Sequence, residues 1–101
     1  MKIKFIKLLN PAEKELDETY NYYEYKLSGL GEEFIKEFRA VLKRISIHPK
    51  AWQLVQNNVR KCIMNKFPYN VIYSIEKDHL IILAISHQHR HPDNWKNRRK
   101  H

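Results

Sequence analysis

The chain has 101 residues, enough for one ordinary domain with a single core and too few for two. Its 19 Lys and Arg against 11 Asp and Glu give a formal charge of +8, which favours anionic partners. The lone cysteine, Cys62, excludes an intramolecular disulfide and a four-cysteine zinc site, and no apolar run approaches the ~20 residues of a membrane span.

A single soluble, untargeted, cytoplasmic domain over residues 1–101 is therefore expected, with no membrane association and a basic tail at about 96–101. The charge is unevenly divided. Residues 1–50 carry 10 basic and 8 acidic side chains and residues 51–101 carry 9 and 3, so a polyanion should meet the second half first.

Residues 2–8, "KIKFIKL", begin by alternating, with Ile3 and Phe5 on one face and Lys2 and Lys4 on the other, which predicts a half-buried strand. Asn10 then offers an N-cap, Pro11 sits where a missing N–H costs nothing, and Glu13 completes a capping-box spacing, so a helix is predicted from Asn10. Its apolar stripe is Leu16, Tyr20, Tyr23 and Leu27. "SGLG", residues 28–31, holds both glycines of the chain and ends it. From Glu32 the helical period resumes through Phe34, Phe38, Val41 and Ile45, and so short a link predicts an antiparallel helical hairpin.

His48 and Pro49 stop the second helix, after which come four β-rich runs, "AWQLVQ", "VRKCIMNK", "YNVIYSIE" and "HLIILAIS". Asn57-Asn58, Phe67-Pro68 and Lys77-Asp78 between them are the turns of an antiparallel meander. The order β-α-α-β-β-β-β predicts an α+β fold, a helical hairpin packed on a mostly antiparallel twisted sheet.

Two segments, "AEKELDETYNYYEYKLSGLGEEFIKEFRAVLKRISIHPKAW" and "VRKCIMNKFPYNVIYSIEKDHLIILAISHQHRHPDNWKNR", together resemble the RelE/ParE superfamily of bacterial type II toxins. The first is similar to the family's helical hairpin: a tyrosine pair, a GLG-like link and a Phe-rich second helix ending in His-Pro. The second is similar to its core strands: a Val-Arg start, a Phe-Pro-Tyr corner, an apolar last strand and a His-x-x-Arg-x-Pro-x-x-Trp ending. The resemblance implies a growth-arresting toxin, of the plasmid-stabilisation type, neutralised by a cognate acidic antitoxin encoded beside it. RelE-like members cut messenger RNA in the ribosomal A site, whereas ParE-like members block DNA gyrase and cut nothing. The hairpin and corner look more ParE-like, which implies gyrase inhibition through protein binding. The alternative is a ribosome-dependent mRNA endonuclease. No cofactor is implied.

Arg60 matches an arginine that the superfamily commonly places at the start of this strand. In an RNA-cutting relative it would hold the scissile phosphate, because guanidinium is a permanently charged bidentate fork; as a structural residue it would pair with a helix carboxylate such as Glu33 or Glu37. His87 ends the last strand within the His-x-x-Arg motif. Under the endoribonuclease reading it is the general acid, with Arg90 as a second phosphate contact; under the structural one it hydrogen-bonds the C-terminal segment onto the sheet. A general base is scarce, because the second half offers only Glu76, Asp78 and Asp93 as carboxylates. Lys61, Lys66, Tyr69 and Tyr73 would assist, although alternation puts Tyr69, Val71 and Tyr73 together on one face, where core packing is commoner.

His87, His89 and His91 alternate, but no cysteine is near and Asp93 is the only close carboxylate, so a fourth ligand is poorly supplied and no metal is expected. Trp95 reads as an anchor for the tail on the sheet or second helix, or as a base-stacking platform. Lys61, Lys66, Trp95, Lys96, Arg98 and Arg99 form the expected nucleic-acid or partner-binding set. On RNA the lysines and arginines would neutralise phosphates, with affinity falling as salt rises.

Overall fold

In a computed structural model the chain is described over residues 2–89 together with Trp95 and Arg98. The elements are β1 (Phe5–Leu8), α1 (Asn10–Lys26), α2 (Leu30–Ile47), β2 (Gln53–Gln56), β3 (Val59–Ile63), β4 (Tyr69–Glu76) and β5 (His79–His87). The sheet order is β1-β5-β4-β3-β2: β1 runs parallel to β5 and every other pair is antiparallel. This is the α+β architecture expected from the sequence. No helix among the described residues is long and apolar enough to cross a membrane.

Both helices pack on one sheet face. Ala12 of α1 and Phe34, Phe38, Val41 and Ile45 of α2 close over Cys62, Val71, Tyr73, Leu80 and Ile82. On the second face Val59, Ile72, Ile81, Leu83 and Ala84 are covered by Leu9 and Trp95. The β2–β3 and β4–β5 turns pass through Asn57 and Lys77, both with positive φ.

The two glycines have separate jobs. Gly29 sits at φ +91°, a left-handed conformation that glycine adopts without strain. At Gly31 a Cβ would stand 2.7 Å from the Tyr20 carbonyl oxygen and 2.5 Å from Glu24 Cγ, so only glycine lets α2 start this close to α1. Glu24 exploits that closeness. Its Oε1 accepts from the backbone N–H groups of Gly29, Gly31 and Glu32, a carboxylate at the positive end of α2 supplied by the preceding helix.

Three local expectations are corrected. The first strand begins at Phe5 rather than Lys2, and Phe5 is 56% exposed, because β1 is a sheet edge whose residues Phe5–Lys7 lie open to solvent. Asn10 makes no capping bond; Leu9 occupies the N-cap with extended backbone, and the Glu13 N–H bonds the Leu9 carbonyl. The α1 stripe ends at Tyr23. Leu27 has left the helix in an extended conformation and is exposed, while Thr19, not Tyr20, completes the buried side.

Candidate functional site

The two sequence-selected side chains of β3 and β5 stand apart. β4 lies between their strands, Arg60 faces Tyr73 and His87 faces Tyr69. Two strand spacings across and four residues along separate their Cα atoms by roughly 16 Å. The Arg60 guanidinium is also committed, donating to the Trp52 carbonyl at 2.9 Å. That carbonyl leads into β2, on the opposite side of β3 from β4 and β5. Beside it the Tyr73 hydroxyl donates to the Pro49 carbonyl at 2.7 Å. Together these bonds fasten the α2–β2 connection to the sheet. The carboxylates expected for Arg60 are elsewhere: Glu33 is exposed on α2, and buried Glu37 accepts the backbone N–H groups of Asn65 and Lys66. Burial pushes the Tyr73 phenol far above its ordinary value, with the Arg60 charge opposing it.

His87 stands at the far end of β4 from Arg60. Its Nδ1 accepts the His89 backbone N–H at 3.2 Å, which places the proton of the neutral ring on Nε2 and leaves that atom a donor. The ring packs edge-on against Tyr69, centroids 5.2 Å apart, and aromatic contacts continue from Tyr69 to Tyr23 and Phe34 in the core. Burial, then neighbouring Tyr69, raises the Tyr23 phenol above its ordinary value. Gln88 closes this end of the sheet through its N–H to the Pro68 carbonyl.

A cavity of about 560 Å³ opens beside His87, between α1 and the ends of β4 and β5. Its polar lining includes Glu15, Glu18, Thr19, Tyr22 and Tyr69. The α1 carboxylates lie outside the sequence expectation, which takes its carboxylates from the second half of the chain. A signal was present: Glu15, Glu18 and Tyr22 fall at i, i+3 and i+7, one face of a helix.

Glu15 is already engaged. Its two oxygens take a forked ion pair from Arg98, at 2.9 and 3.1 Å, and Oε1 also accepts the Ile85 N–H at 3.0 Å. Trp95 is 2% exposed on the second sheet face. So Arg98 and Trp95 of the expected binding set tie the chain to its own sheet. Lys61 is half-buried on β3 and Lys66 is exposed on the β3–β4 loop. Arg90, His91, Pro92, Asp93, Lys96 and Arg99 lie outside the described residues.

The family model for the ParE toxin of the type II toxin-antitoxin system, parDE, matches residues 6–92. Among solved structures, the chromosomal ParDE TA system from P. aeruginosa aligns with a TM-score of 0.73 at 16% identity, covering 84% of this chain and 96% of that one, a likeness of fold. Among curated proteins no relative matches the chain.

Proposed function

The chain belongs to the ParE toxin family of type II toxin–antitoxin systems, and from that membership we propose that it stops growth by binding DNA gyrase in the cytoplasm, with an acidic antitoxin as its neutralising partner. The observation that supports a binding mode is the separation of Arg60 from His87. Cleavage at a ribose 2′-hydroxyl needs a phosphate clamp, a base and an acid around one phosphate. Here the clamp candidate is bonded to the Trp52 carbonyl and the acid candidate lies across β4 from it. A protein interface needs no such convergence. It draws on exposed surface, which this fold supplies in Tyr22, Tyr25 and Leu27 along the hairpin and in Lys66 and Lys77 of the second half.

The antitoxin reading follows from charge. A protein of +8 is complemented by an acidic segment that folds on it, covering apolar surface and pairing with its Lys and Arg.

One observation favours the endoribonuclease alternative: the His87 ring, its Nδ1 taken by a backbone N–H, lines a cavity that Glu15 and Glu18 also line. The test separates the two. Purified protein is expected to stop gyrase supercoiling relaxed plasmid in vitro, and the cognate antitoxin to restore it. Supercoiling at full rate with the protein in large excess would overturn the proposal.

A further inference from the structure

β5 outruns its edge partner. β1 pairs with it only from His79 to Ile82, and the last backbone bond on that side joins the Leu9 N–H to the Ile82 carbonyl. From Leu83 onward, no strand among the described residues lies along the side of β5 that faces α1. Side chains meet the next backbone groups instead. Arg98 donates to the Leu83 carbonyl at 3.0 Å while forking onto Glu15, and Glu15 accepts the Ile85 N–H. The irregular register at Leu83-Ala84 explains why these two groups point outward: β5 carries one residue more than β4 between the pairs Ile82–Tyr73 and Ala84–Ile72.

An arginine therefore already lies on this edge, held by one α1 carboxylate and one β5 carbonyl. The same pair of acceptors recurs one step along. Glu18 follows Glu15 by three residues on the same helix face, and the Ile85 carbonyl leaves the strand on the same side as its N–H, two residues beyond Leu83. Between them opens the cavity, walled by Tyr22, Tyr23 and Tyr69. Among its described lining residues there is no Lys or Arg, although the chain as a whole carries +8. The Tyr22 ring already attracts a cation, with Lys26 Nζ 5.2 Å from its centroid.

We propose that this groove is the docking site for an extended segment of a partner protein. The segment's backbone prolongs β1 along Ile85–His87, and it lays an arginine between Glu18 and the tyrosines. Strand addition supplies main-chain bonds, and the acidic aromatic pocket supplies selectivity. The inference goes beyond the gyrase and antitoxin reading and stands apart from it, since neither growth arrest nor supercoiling enters its test.

The probe is acetyl-Ile-Arg-Ile-amide, titrated into the ¹⁵N-labelled full chain beside its citrulline counterpart, which keeps the shape and lacks the charge. The arginine peptide is expected to shift the Ile85 and His87 amides and to saturate at or below the order of a millimolar, with the citrulline peptide about tenfold weaker. Glu18→Gln, at an exposed position, is expected to bring the arginine peptide down to the citrulline value while the rest of the spectrum stays put. Equal affinity of the two peptides, shifts confined to other surfaces, or no saturation at several times that concentration would overturn the proposal.

Discussion

The two faces of the sheet are held by different means. On the helix face, α1 and α2 interlock with the strands through Phe34, Phe38, Val41, Ile45 and the Tyr23–Phe67–Tyr69 aromatic contacts, a core spread over many side chains. On the second face one indole, Trp95, and Leu9 cover five apolar residues, and the Glu15–Arg98 fork ties the same segment down. That face also carries buried polar atoms without a partner among the described residues: Asn70 Oδ1, Ser74 Oγ and Trp95 Nε1. The contrast teaches that burial is spread over many side chains where two helices share it and concentrated where, among the described residues, Leu9 and Trp95 supply it.

The largest expected effect lies on the helix face, because Phe34 is fully buried among close-packed neighbours that cannot collapse into its space. Phe34→Ala should cost about 3–5 kcal/mol, read as a lower urea midpoint with an unchanged slope. Trp95→Ala should come next, at about 3 kcal/mol, and should differ in kind. Amide exchange is expected to rise along β5 and β1 while α2 keeps its protection, since α2 does not touch the indole's cluster. A loss as uniform as that of Phe34→Ala would erase the distinction between the faces.

Alkaline pH probes the helix face from within. Burial raises Tyr73 above its ordinary 10.0, so the folded state favours the neutral phenol that donates to Pro49. The associated stability is fully present below pH 10.0, the value of an unperturbed tyrosine, and is lost as pH rises beyond it. Thermal unfolding should therefore be flat from neutral pH to that point and fall above it, and Tyr73→Phe should flatten the fall.

Arg98→Ala should cost about 1–2 kcal/mol, because the forked pair is largely withdrawn from water and its loss leaves the Leu83 carbonyl without its donor. Smallest is Asn10→Ala, expected within about 0.5 kcal/mol of the parent, since the side chain makes no cap bond. A loss of a full capping contribution would show that the box forms after all.

That last case marks where local sequence patterns stop being informative. α2 was legible because Phe34, Phe38, Val41 and Ile45 repeat at the helical period and bury together. β4 and β5 were legible as long apolar runs between turn residues, and both ran to within a residue of expectation. The cap of α2 was not, because its acceptor is Glu24 of another helix, paired with it only once the hairpin has closed. The same holds for the exposure of Phe5, which follows from β1 being an edge, and for the extra residue in β5, which has meaning only against β4. At the candidate site the residue types Arg60 and His87 were readable, but their roughly 16 Å separation is a property of strand order. Glu15 and Glu18 join the site because α1 continues β1 alongside β5.

The most direct test of the binding account puts one preparation of the protein against two targets at once, gyrase with relaxed plasmid and ribosomes translating a defined message. Supercoiling should stop while primer extension reads the message intact, and His87→Ala should leave the message unchanged. Undisturbed supercoiling together with new breaks inside codons, abolished by His87→Ala, would contradict it.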